Sequence, residues 1–171
     1  VRINDHLRLG TRPPDNGHTE ILLVDAEGFH KIYDCDVFET CNPIGFDKRD
    51  QQVYLMTNKG SDDLISLALL DPQTGKTTLV ETDPLKRVDF SGARISEVTH
   101  ELVNTIYMDE KLRRYWKDKA LEADCNRIQK QYPNKEVRFG SSTNDEQLWL
   151  VTVGSDNEPG ETLLFDRKTK K

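Results

Sequence analysis

Four aspartates, Asp25, Asp71, Asp118 and Asp166, each close an apolar or aromatic stretch, and they are separated by 46, 47 and 48 residues. The stretches are EILLVD (20–25), LALLD (67–71), LRRYWKD (112–118) and TLLFD (162–166). Even spacing of this kind means that one supersecondary unit is built several times over, with neighbouring units burying each other's faces. A second match supports the period. DQQVYLMT (50–57) recurs as DEQLWLVT (145–152), so that Asp50, Gln52, Leu55 and Thr57 align with Asp145, Gln147, Leu150 and Thr152, each 95 residues on, or two periods.

Each unit has a common inner order. A short strand comes first (PIGF, 43–46; ARISEV, 93–98; EVRFG, 136–140), followed by a polar turn. A second strand follows (VYLMTN, 53–58; LVNTIYM, 102–108; LWLVTV, 148–153), rich in the β-branched and aromatic residues that suit a pleated surface. A third strand ends at the marker Asp. Beyond Asp71, Pro72 and Gly75 set a turn into a fourth strand, TTLVE (77–81), and beyond Asp25, Gly28 does the same for KIYDCDV (31–37). Four antiparallel strands in about 47 residues is the pattern of a β-propeller blade. The expected fold is therefore all-β, a partial β-propeller of four-stranded antiparallel blades occupying residues 1–171.

One unit departs from the pattern. After Asp118, the residues Leu121, Cys125, Ile128 and Tyr132 fall on one helical face and Pro133 closes the run, so a helix is expected at about 119–132 in the third repeat. Asp25 to Ile44 and Asp118 to Val137 are both 19 residues, so the helix is expected to replace that blade's outermost strand or lie over it. With about three full intervals, the chain holds fewer blades than the four to eight that usually close a ring. Exposed blade faces and edges invite association with copies of itself.

Composition narrows the partners. A net charge of −6 repels phosphate, so neither nucleic acid nor an anionic membrane is an expected partner. No apolar stretch approaches the roughly 18 residues of a membrane span, and a cytoplasmic location is expected. Cys35, Cys41 and Cys125 are odd in number and lack C-x-x-C spacing, so they are expected to be reduced and mostly buried.

Candidate chemistry is sparse. No G-x-S-x-G elbow occurs, and the serines of GSSTND (140–145) and GSDD (60–63) lie in expected turns. His6, His18, His30 and His100 are far apart and suit surface or turn positions. The pairs Asp62/Asp63 and Asp109/Glu110 read as solvated loop residues, and DCD (34–36) lacks the further oxygens and glycine of a calcium loop. STNDEQLW (142–149) places Ser142 and Trp149 at the spacing of a sialidase Asp box, but Asn144 and Glu146 stand where that turn needs Asp and Gly. The marker aspartates are expected to accept backbone N–H groups two residues on, as a scaffold device. Trp116 and Trp149 are expected to pack between blades. No catalytic, cofactor-binding or metal-binding residue is singled out, and no cofactor is expected.

The run VYLMTNKGSDDLISLALLDPQTGK, the helix-bearing RYWKDKALEADCNRIQKQYPNKEVRF and the stretch WLVTVGSDNEPGETLLFDRKTKK together resemble the propeller region of prolyl oligopeptidase family serine peptidases, notably the acylaminoacyl-peptidase and dipeptidyl-aminopeptidase-like branch. The likeness covers about residues 18–171. It implies a non-catalytic segment that gates short peptide substrates into an α/β-hydrolase domain of the same parent chain, absent from these residues, so that the isolated chain is inert. The alternative is a stand-alone TolB-like or WD-type propeller scaffold that binds a protein partner.

Overall fold

A computed structural model describes residues 2–3, 6–13, 17–60 and 63–171. Among these, antiparallel strands dominate, and every strand pairs only with its neighbours in sequence. The chain forms two compact units, one of Val1–Ile95 with His100–Tyr115, the other of Ser96–Thr99 with Trp116–Lys171.

In the first unit, β1 (Arg2–Ile3) and β2 (His6–Leu7) form a short ribbon. Three sheets follow. The first joins β3 (Leu9–Arg12), β4 (Thr19–Asp25) and β5 (Gly28–Cys35). The second joins β6 (Cys41–Phe46), β7 (Val53–Thr57), β8 (Ser66–Leu70) and β9 (Thr77–Glu81). The third joins β10 (Phe90–Ile95), β11 (Leu102–Met108) and β12 (Leu112–Trp116). The second unit holds α1 (Lys119–Gln131) and one sheet, β13 (Glu136–Ser142), β14 (Leu148–Ser155) and β15 (Glu158–Asp166). The expected sequence of strands is present, with one correction: of these four larger sheets only β6–β9 has four strands, and the others have three.

The β6–β9 sheet shows how the units of the repeat bury one another. Side chains alternate between faces along a strand. One face, with Val53, Leu55 and Leu70, packs into a core with Leu9, Ile21 and Cys35 of the first sheet. The opposite face, with Tyr54, Met56 and Leu67, packs with Phe90 and Tyr107 of the third.

The sequence pairing of residues 50–57 with 145–152 is one residue out of phase. The hairpin entering β7 is closed by Asp47 N–H to Gln52 O and Asp50 N–H to Asp47 O, and the hairpin entering β14 by Thr143 N–H to Leu148 O and Glu146 N–H to Thr143 O. Asp50 therefore corresponds to Glu146, both left-handed with φ of 55° and 52°, and the offset is 96. A slip of one residue exchanges the faces of a strand. Leu55 is buried and its expected counterpart Leu150 is exposed, whereas Val151 is fully buried. At the marker turns the offset is 95 as expected, with Asp71 N–H to Lys76 O at 2.9 Å and Asp166 N–H to Lys171 O at 2.7 Å.

All four markers accept a backbone N–H two residues on: Asp25 from Glu27, Asp71 from Gln73, Asp118 from Ala120 and Asp166 from Lys168. At Asp118 the same bond, with a second from Leu121 N–H at 3.0 Å, caps α1. The helix buries Leu121, Cys125 and Ile128 as expected, ends one residue early with Tyr132 as its cap, and also buries Asp124. It follows β12 in place of a fourth strand, but it packs on β13, the first strand of the next sheet.

The cysteine expectation is corrected in part. All three are buried, but Cys35 and Cys41 form a disulfide and only Cys125 is a free thiol. The end of β5 and the start of β6 bring the two Cα atoms to 5.9 Å, within bridging range. No helix is long and apolar enough to cross a membrane among the described residues.

Candidate functional site

A group of buried ionisable side chains lies in the first unit, where the segment after β9 meets β11 and β12. Asp83 begins a turn over 83–88. Its Oδ1 accepts Leu85 N–H at 3.1 Å, and its Oδ2 accepts Arg87 and Val88 N–H at 2.9 and 3.1 Å. Arg113 on β12 then donates from both terminal nitrogens to the same carboxylate, at 2.7 and 2.8 Å. Asp83 is fully buried. A buried carboxylate survives only when its charge is matched and its lone pairs are filled. The Arg113 guanidinium, with the three backbone donors, overrides burial and holds the Asp83 carboxyl well below the usual range.

The network extends outward from this pair. Arg113 also donates to the Tyr115 hydroxyl at 3.0 Å, lies 3.3 Å from Asp109 and stands 5.8 Å above the Tyr107 ring. Tyr107, fully buried, donates its hydroxyl to Glu81 Oε1 at 2.9 Å, and Thr105 donates to the same oxygen at 2.5 Å. Burial, reinforced by Glu81, pushes the Tyr107 phenol far up, so it stays protonated at any physiological pH. One buried polar atom of the network, Arg113 Nε, has no hydrogen-bond partner.

This arrangement fixes geometry rather than moving protons. The Asp83 carboxylate is saturated by five donors, and the Tyr107 and Thr105 hydroxyls are committed to Glu81. It ties the segment after β9 to the third sheet, and so orders the β6–β9 and β10–β12 sheets against each other. Nothing in the spacing of these residues along the chain brings them together. Asp109 was expected in a solvated loop, yet its side chain is only 13% exposed and pairs with Arg87 and Arg113. The Asp-Pro step at 83–84 was the available local signal, since Asp at such a turn collects backbone donors.

The other residues considered from sequence are dispersed. His30 Nε2 lies 3.1 Å from marker Asp25 Oδ1, and His100 occupies a left-handed turn at φ 55°. The side chain of His6, together with Ser61 and Asp62, lies outside the described residues. Asp36 accepts Phe38 N–H at 2.8 Å, ordinary turn chemistry. Among the described residues no group of three or more His, Cys, Asp or Glu side chains is placed to hold a metal ion.

The second unit has a second buried carboxylate, Asp124 on α1, held by Arg167 Nε at 2.9 Å and Lys170 Nζ at 2.6 Å. It pins the helix to the Asp166 turn. Beside that turn an open hollow of about 740 Å³ is lined by Thr143, Asp145, Gln147, Leu148, Asp166 and Lys168, among others. Asp145 is already occupied there by the Thr143 hydroxyl at 2.6 Å and Gln147 N–H at 3.1 Å. In the adjoining Asp-box-like stretch, Ser142 pairs with Trp149 across β13 and β14. Glu146 takes the left-handed position that a glycine would fill, and its carbonyl accepts the Trp149 indole N–H at 2.8 Å. Trp149 is buried against Phe139, which also meets Trp116 and Phe165 edge-on.

Set against known protein families, the chain matches no family model. No curated protein sequence matches it either.

Proposed function

We propose that this chain is a segment of a β-propeller, and that it serves a prolyl oligopeptidase family serine peptidase as a non-catalytic gate, admitting short peptides to an α/β-hydrolase domain outside these residues. One observation carries the propeller reading: the β6–β9 sheet, a sequential meander, is covered on one face by the preceding sheet of the chain and on the other by the following one. Face-to-face stacking of successive meanders is how propeller blades bury themselves. The peptidase reading rests on the resemblance of the three quoted stretches and on the helix after the third marker. Fold alone would not give an activity.

The coding sequence downstream of Lys171 tests it. An open frame with G-x-S-x-G, then Asp and His, supports the gate; a prompt stop codon overturns it. The isolated chain is expected to resist labelling by a fluorophosphonate probe.

A second reading, a stand-alone interaction scaffold, is favoured by the loop between Cys35 and Cys41, which holds Val37 and Phe38 outward at 57% and 87% exposure. The same bond bears on location. Disulfides persist in oxidising compartments and are rare in a mesophilic cytosol, so the cytoplasmic location expected from the sequence would leave this pair reduced.

A further inference from the structure

We infer that the outer edge of β15 is a strand-acceptor site, on which an extended segment of a second polypeptide adds antiparallel as a fourth strand of the β13–β15 sheet. Arg167 N–H donates to Gln147 O, in register with the β14–β15 ladder, so the odd-numbered residues from 161 to 167 bond towards β14. Successive residues of a strand turn their backbone groups to opposite sides. Those of Thr162 and Leu164 therefore point away from β14, and among the described residues no strand pairs with them. A row of unpaired backbone groups is a template for another chain.

The internal repeat says what belongs there. β8 is the equivalent strand, and its outer edge holds β9, with Leu69 opposite Thr78 and Leu70 opposite Thr77. The turn that precedes β9 is reproduced after β15. Asp71 N–H bonds to Lys76 O and Gly75 N–H to Asp71 O at 2.9 and 2.8 Å; Asp166 N–H bonds to Lys171 O and Lys170 N–H to Asp166 O, both at 2.7 Å. Gly75 and Lys170 are both left-handed, with φ of 69° and 58°. Asp118, by contrast, caps a helix. The edge beside the Asp166 turn is thus shaped for a strand, with Leu164 and Phe165 standing where Leu69 and Leu70 stand on β8.

The outer edges of the other three sheets are guarded. β5 carries His30, Lys31 and Asp34, β12 carries Arg113 and Arg114, and β9 is bulged at Val80. Charges and bulges on an edge block pairing with another chain. Residues 162–165, Thr-Leu-Leu-Phe, have no charge and no proline, and their register is unbroken. The fitting occupant is a single uncharged strand of the kind β9 provides, Thr-Thr-Leu-Val, whose β-branched residues suit a place opposite Leu164. Pairing with β15 of a second copy would instead fuse two three-stranded sheets into one of six, and among the described residues no sheet exceeds four strands.

The inference rests on the repeat and on the open edge, not on the peptidase reading. Amide hydrogen exchange of the 171-residue chain, with and without the synthetic peptide KTTLVET (the sequence of residues 76–82), tests it. Saturating peptide is expected to slow exchange at Leu164 and Thr162 by about tenfold, and to leave Leu163 and Phe165, already bonded to β14, unchanged. The peptide KTPLVET, which lacks the N–H that Thr78 contributes opposite Leu69, is expected to have no effect. In the chain itself, Leu164→Pro removes an outward N–H, a change that an edge strand tolerates, and is expected to abolish binding of the labelled peptide measured by fluorescence anisotropy. Should that variant lose its far-ultraviolet circular dichroism, the proline peptide provides the same reading. No slowing at Leu164 and Thr162, equal slowing by both peptides, or protection of these amides that rises with concentration of the chain alone, the mark of a second copy on the edge, would each overturn the inference. None of these results would touch the downstream-frame test of the gate.

Discussion

Arg113 grips Asp83 with both terminal nitrogens, 2.7 and 2.8 Å from the two carboxylate oxygens, across 30 residues of sequence. The pair joins a segment that follows the second sheet to a strand of the third. Arg113→Met keeps much of the packing volume and removes the charge. It leaves the buried Asp83 carboxylate with backbone donors alone, which is expected to cost about 2–3 kcal/mol once the partial solvent access of the site is allowed for. Arg113→Lys, lacking the planar fork, is expected to recover only part of this. Urea unfolding of the variants measures it; equal stability of all three proteins would refute the clamp.

The same carboxylate sets an acid limit. Its folded pKa is lowered, chiefly by Arg113, so the unfolded chain binds the proton more readily. The contribution of Asp83 is therefore complete above its unfolded value, about 3.9, and is lost progressively as the pH falls below that towards the folded value. Asp25, Asp71, Asp145 and Asp166 are lowered too, so wild-type stability falls in acid from several sources. Asp83→Asn isolates one of them: its stability is expected to fall less steeply than wild type between pH 5 and pH 3. Parallel curves would contradict the assignment.

Reduction of the Cys35–Cys41 bond opens a loop only six residues in span. For a loop this short the chain-entropy model gives roughly 2 kcal/mol. Thermal unfolding with and without reductant should show that loss, and a Cys35→Ser, Cys41→Ser double variant should match the reduced protein and respond no further to reductant.

Marker Asp118 acts through two hydrogen bonds to the first turn of α1. Asp118→Ala is expected to destabilise the second unit by about 1 kcal/mol, and Asp118→Asn, itself a good cap, by much less. Hydrogen exchange at Ala120 and Leu121 reads the cap directly.

How far the sequence could be read depended on the range of the interaction. The marker aspartates were legible because their chemistry is local: a carboxylate and an N–H two residues on, whether the chain then turns into a strand at Asp71 or a helix at Asp118. The phase of β14 was not, because one residue fewer between Trp149 and Asp166 than between Val53 and Asp71 shifts the repeat while leaving the aligned letters similar. An odd cysteine count concealed a real pair at 35 and 41. The Asp-Pro step marked Asp83 as a turn residue, but its pairing with Arg113 and the Asp124 pin had no sequence signature, since the partners lie 30 or more residues apart and only the folded sheets bring them together.

Strictly sequential pairing has a consequence for how the protein is made. Each sheet draws its strands from one unbroken stretch of chain, and each marker turn is satisfied within a few residues, so a sheet can pair as soon as its own residues have left the ribosome. Short closures between strands that are neighbours in sequence cost little loop entropy, which favours early pairing within each sheet. The longer-range clamp at Asp83 and Arg113 closes only when β12 has emerged, and it fastens neighbouring sheets after each has formed.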